Sequence, residues 1–391
     1  MFFSLALRGR LQYHCPMERM RAFPGISPSA WEHPADGAAL AAFSSIPLAG
    51  ELLRRAIGST TERSLRLAAL ANYARSNESQ FASLFAILKD AALRLDLSPL
   101  PELYVRLDPA PDARCLGVEK PFILLSSGAL DLWDEEELAC VIAHEVGHIL
   151  SGHAVYKTLL ALLLRASSIV AGSIPLGGAA LAAASAALRE WDRKSELSAD
   201  RASLLVVQDA PVVFRALMKS AAGPRIAQMD INEFFRQARD YETGGSALDS
   251  IYKLVDVMGE SHPFPISRMT SLQVWEKGGA YEAILRGEYP RRGAESERDG
   301  SRERDPLRDF ERAKAAYAGE FAGSEDPLAK AAGKVMDAVG DLFGRASGAA
   351  GSAGGGDRGK GSGPDGRQRG PDSDAPRSIE DVIDDIFGPK R

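Results

Sequence analysis

The chain has 391 residues, a formal net charge of −6 and a pI near 5.7, and no Lys/Arg cluster is dense enough to track phosphates, which excludes a nucleic-acid partner. Three cysteines, Cys15, Cys115 and Cys140, make no disulfide framework and fit a reducing, cytoplasmic compartment. With 45% hydrophobic residues the chain can bury a core of ordinary domain size.

The opening run MFFSLALRGR is too short for a signal-peptide core and carries its positive charges after the apolar stretch, so no export signal is expected; Met17 or Met20 are alternative starts. Residues 1–45 read as an irregular, Pro-rich N-terminal segment. Residues 60–97 read as two helices, with Phe81, Leu84, Phe85 and Leu88 on one apolar face. Tyr104 to Leu107 and Phe122 to Leu125 are β-rich runs, and Asp112 to Gly117 reads as an edge strand between them. An exposed arginine there, Arg114, commonly guards an edge against aggregation, and it also suggests a taste for acidic substrate residues.

Asp134 followed three residues later by Glu137 is a capping box, and Leu138, Val141, Ile142 and Ile149 recur at helical spacing. On that helix His144-Glu145-Val146-Gly147-His148 places two imidazoles on one face, able to reach one metal ion, with the Glu145 carboxylate beside the open coordination position. Cys140, one turn earlier, reads as a small core residue. A catalytic zinc site takes three protein ligands and leaves a fourth position for water. A third histidine ten residues after the first is missing, since that position is Ala154 and the glycine of that pattern is Ser151. His153, out of register by one, reads as a surface or helix-end histidine.

The third ligand is then sought downstream, where residues 186–207 form a helix free of Gly and Pro. Glu196 and Asp200 share a face at i and i+4, so that Glu196 can bind zinc while Asp200 accepts the free ring N–H of a liganding histidine. Glu190 is the rival, but four residues after it stands Lys194, which cannot accept that proton.

The apolar stretch 158–188 is the one membrane candidate, and it is interrupted by Arg165, Pro175 and Gly177-Gly178. His148 and Glu196 flank it and serve one metal, so crossings would have to be even, and two need about forty residues. A helical hairpin bent near Pro175 to Gly178 is expected instead, with peripheral membrane contact as its one lipid role. Further helices are expected at about 211–221, 231–242, 247–258 and 265–277. Residues 291–391 are charged and then Gly-rich, a composition expected to stay disordered, with short helical segments at 327–344 and 378–387. In the latter, Ile379, Val382, Ile383 and Ile386 at helical spacing suggest a partner-docking motif. The fold class is α+β, a mostly helical body with a small mixed sheet over 46–290, followed by a disordered tail.

HEVGH, SELSAD about fifty residues later and HPFPISR at 262–268 together resemble the HtpX and type I CAAX prenyl endopeptidase family of gluzincin zinc metallopeptidases, over about residues 50–290. The resemblance implies one zinc per chain on His144, His148 and Glu196, with Glu145 as general base and Asp200 as the supporting carboxylate. It also places His262 and Arg268 facing the active site, where one or the other is a partner of the oxyanion and His262 is alternatively a resting-state occupant of zinc's open position. The family's Asn-Ala-Phe edge segment is replaced by Asp112-Ala113-Arg114-Cys115, a change that main-chain pairing with substrate tolerates. The function implied is hydrolysis of peptide bonds in protein substrates, in protein quality control. The alternative is a catalytically restrained member that binds partners through its C-terminal tail.

Overall fold

The computed structural model describes residues 20–44, 49–50, 53, 61–170, 177–243 and 265–293. The opening run, the helix expected at 247–258, His262 and the tail from 294 onward, with its segments 327–344 and 378–387, lie outside the described residues.

Residues expected to be irregular carry a helix, α1 (Pro34–Ser44). The prolines before it suggested a coil, yet Pro34 stands at the helix start, where a missing N–H costs nothing, and the Ala-rich run after it favours helix. Then follow α2 (Thr61–Asn72), a two-residue strand β1 (Ala74–Arg75) and α3 (Ala82–Arg94), which buries Leu84 and Leu88 of the expected apolar face, whereas Phe85 is half-buried and Phe81 stands exposed at the N-cap. Strands β2 (Glu102–Arg106), β3 (Ala113–Leu116) and β4 (Phe122–Ser126) complete a mixed sheet of order β1-β2-β4-β3. β2 runs parallel to β4, whereas β3 is antiparallel to it, with Ala113 opposite Leu125 and Leu116 opposite Phe122. β3 is thus an edge strand, as its sequence suggested.

A short helix α4 (Ser127–Leu132) turns the chain into α5 (Glu135–Leu150), the helix of the HEVGH segment. Its capping box forms as expected: Glu137 N–H donates to Asp134 Oδ1 at 3.0 Å and Asp134 N–H to Glu137 Oε2 at 3.0 Å. Two helices, α6 (His153–Val170) and α7 (Gly177–Val207), form the expected hairpin on either side of 171–176. No single helix among the described residues is long and apolar enough to cross a membrane. Leu159, Leu160, Leu163 and Leu188 of the apolar stretch are buried with Phe43 and Trp191 in the protein's own core. After them come α8 (Ala210–Ala222), α9 (Ile231–Thr243), α10 (Pro265–Lys277) and α11 (Ala280–Leu285). The architecture is α+β: the inner face of the sheet, through Leu103, Val105, Ile123 and Leu125, shares one core with α3, α5, α8 and α10.

The contact that positions the site is between α5 and α7. Gly147 makes it possible, because a Cβ built there would lie 2.5 Å from the Cβ of Ala202 on α7. Small residues at one crossing bring the motif helix and the Glu196 helix close enough for short side chains to meet.

Candidate metal centre

His144, His148 and Glu196 converge, all three buried, and form the group of side chains able to hold a metal ion among the described residues. The His144 Nε2 lies 3.2 Å from Glu196 Oε2, His148 Nε2 lies 3.1 Å from Glu196 Oε1, and the two Nε2 atoms are 3.0 Å apart. Donors held at about 2.0–2.1 Å around a tetrahedral ion sit roughly 3.3 Å from one another, so these separations suit a small divalent cation. Glu190, the rival in sequence, lies outside the residues whose side chains are described.

Each histidine has a different support behind it. His144 Nδ1 donates to Asp200 Oδ1 at 3.1 Å, as the i and i+4 spacing of Glu196 and Asp200 predicts. Asp200 is in turn clasped by Arg268, whose Nε donates to Oδ2 at 2.8 Å and Nη2 to Oδ1 at 2.5 Å, while Nη1 lies 3.3 Å from Glu196 Oε2. Arg268 does line the cavity, but its donors are directed at two carboxylates. Burial alone would lower the His144 pKa; the Glu196 and Asp200 carboxylates outweigh it and raise it to about 9. His148 is instead driven well below the usual imidazole value, first by burial and then by the Lys157 ammonium.

His148 Nδ1 lies 2.9 Å from His153 Nδ1, and His153 Nε2 lies 3.0 Å from Asp36 Oδ2. His153 stands at a helix end, as one expectation had it, but at 5% exposure it is buried and is not a surface residue. Counting from the metzincin pattern placed it one residue out of register, whereas the turn at Ser151 and Gly152 starts a new helix and swings it back under His148. Lys157, one turn on along α6, went unnoticed in the sequence; it donates to Asp192 Oδ1 at 2.6 Å and to Glu196 Oε1 at 2.8 Å. A lysine four residues after a histidine on an apolar helix is the signal that would have pointed to it.

Glu145 is buried, and its Oε2 has no hydrogen-bond partner. Burial pushes its carboxyl above the ordinary value, against the opposing charges of His144 and Lys157. It faces a cavity of about 570 Å³ whose walls include Asp112 and Ala113 of the edge-strand segment and the apolar side chains Leu132, Trp133, Val141, Val213 and Leu217. Cys140 also lines the cavity but stands outside the donor cluster. Arg114 grips Asp112 with two bonds of 2.8 Å and shares that carboxylate with Arg106.

The profile of Peptidase family M48 matches residues 78–276. Over 287 residues the chain is 32% identical to the plastoglobule-localized metallopeptidase 48, chloroplastic, of Arabidopsis thaliana, covering 71% of this chain and 82% of that protein. Over 78 residues, 19% of this chain, it is 32% identical to a protease HtpX homolog of Tropheryma whipplei (strain Twist) and 35% identical to one of Dictyoglomus thermophilum, covering 27% and 26% of those proteins. No solved structure matches the chain.

Proposed function

This chain belongs to peptidase family M48, and from that premise we propose that it is a zinc-dependent metalloendopeptidase that hydrolyses peptide bonds of protein substrates, with His144, His148 and Glu196 as the ligands of one zinc ion. The observation that carries the reading is the pairing of that donor cluster with a buried carboxylate, Glu145, whose Oε2 has no hydrogen-bond partner, at the wall of a cavity large enough for peptide side chains.

When bound, zinc supplies Lewis acidity, lowering the pKa of water from about 15.7 towards about 7 and polarising the scissile carbonyl. Glu145 takes the proton of the attacking water and returns it to the leaving amine; a carboxyl whose pKa burial has raised suits both halves of that exchange. The edge-strand segment with Asp112 and Ala113 at the cavity offers main-chain groups for an extended substrate to pair with. The apolar wall of Trp133, Val141, Val213 and Leu217 favours an apolar side chain next to the bond that is cut. Arg268 acts through Asp200 and Glu196, holding them in place, and not as a direct partner of the oxyanion.

The test is Glu145→Gln, assayed on casein with metal analysis alongside. The variant is expected to keep zinc and fold while losing about a hundredfold or more of proteolysis, because an amide accepts no proton from water. Activity within about tenfold of wild type would remove Glu145 from the role of base.

A further inference from the structure

The residues before the family segment pack against the helices that carry the metal donors. Asp36 lies on α1, upstream of the matched segment 78–276, yet its carboxylate is buried beneath His148 with His153 between them. The surrounding stretch is stitched to both ligand helices: Trp31 Nε1 donates to Ser151 Oγ at the end of α5 at 3.2 Å, His33 N–H donates to Ser198 Oγ on α7 at 2.9 Å, and Arg201 Nη1 donates to the carbonyls of Trp31 and Glu32.

The proton count along this chain is forced by chemistry. A histidine that gives its Nε2 lone pair to a metal keeps its one remaining proton on Nδ1, and a buried N–H needs an acceptor. For His148 the atom in reach is His153 Nδ1. That atom accepts only if His153 is neutral with its proton on Nε2, and Asp36 Oδ2, 3.0 Å away, is the acceptor for that proton. Asp36 is itself oriented, since Trp191 Nε1 donates to its Oδ1 at 2.9 Å and Ser198 Oγ to its Oδ2 at 2.7 Å. We propose that Asp36 and His153 form a proton-ordering relay that holds His148 in the tautomer able to bind metal, making the N-terminal helix part of the peptidase metal site.

This rests on the metal reading above, and its test separates the two. Zinc affinity is measured by chelator competition on the full chain, with circular dichroism and the metal-free melting temperature as checks of fold. Asp36→Asn is the sharp variant. The Trp191 donor keeps the amide oxygen on its own side, which turns the amide N–H towards His153 and reverses the relay, leaving the His148 proton on Nε2. Zinc affinity is expected to fall about 10- to 100-fold, and by a similar factor in His153→Leu. In His153→Gln an amide can accept from His148 and donate to Asp36, so most of that loss is recovered.

Wild-type affinity in folded Asp36→Asn and His153→Leu overturns the relay, and so does a glutamine variant as weak as the leucine one. If wild type binds no zinc, or His148→Ala binds it as tightly as wild type, the metal reading itself fails.

Discussion

The two histidines of the HEVGH helix are held by opposite means. Behind His144 stands a charged assembly, Asp200 in the fork of Arg268, with Arg268 also reaching Glu196. Behind His148 stands a chain of rings ending on Asp36, carried by a helix outside the family segment. The first support brings a full positive charge near the metal donors and trades in ion-pair energy. The second orders a proton and adds only a distant carboxylate. One motif thus contains a ligand whose basicity two carboxylates raise and a ligand whose basicity burial and the Lys157 ammonium lower, with a ring behind it to order its proton.

The contrast predicts that the charged side is the more costly to break. Arg268→Ala leaves Asp200 and Glu196 buried without their shared cation, and removing one partner of a buried pair costs on the order of 3–5 kcal/mol. A large fall in melting temperature is expected together with a loss of zinc affinity, and Arg268→Lys should recover little because an ammonium cannot form the fork. A stability loss no greater than that of Asp36→Asn would break the comparison, since the two supports would then be equivalent.

How much of this was legible in the sequence follows from sequence distance. His144, Glu145 and His148 lie within one stretch of helix, so the spacing alone places the two histidines on one face with Glu145 beside them. Asp200 was legible for the same reason, four residues after Glu196. Asp36 was not: it sits in a Pro-rich stretch, and nothing local tells that its helix docks against α7 through Ser198 and Trp191. His153 was misread because a two-residue turn resets the helical phase, which no counting rule along one helix can anticipate. Strands β2 to β4 and the edge position of β3 were legible from β-rich runs, whereas the two-residue β1 falls where only helices were expected; α7 begins at Gly177, within the bend expected between the arms of the hairpin.

A smaller effect is expected where both supports depend on the same crossing. Gly147→Ala places a methyl group 2.5 Å from the Cβ of Ala202 and forces α5 and α7 apart, an overpacking that costs about 1–3 kcal/mol. The displacement separates His144 and His148 from Glu196, so zinc affinity should fall along with stability. Adding Ala202→Gly to the same chain removes the clash and is expected to restore both. If the double variant is as weak as the single one, the crossing is not what brings the two helices' donors together.

The smallest effect sharpens the comparison by pH. In the metal-free protein His144 has its pKa raised to about 9 by Glu196 and Asp200 against the opposing effect of burial, so it stabilises the fold fully below the unfolded value of about 6.5 and loses that contribution as pH rises to about 9. His148, and His33 whose pKa burial and then Arg201 lower to about 4, work in the other direction, favouring the folded state as pH rises towards about 6.5. The melting temperature of chelator-treated protein is therefore expected to peak near pH 6.5 and decline gently towards pH 9. Zinc loading should remove the decline, because a coordinated His144 carries no titratable proton at Nε2, and the gap between loaded and metal-free melting temperatures widens over that window. Asp200→Asn should flatten the metal-free curve by withdrawing one of the two carboxylates that hold the proton. A metal-free melting temperature that rises from pH 6.5 to 9 would mean that His144 is not the charged side of the pair, and the asymmetry between the two histidines would have to be sought in their metal bonds alone.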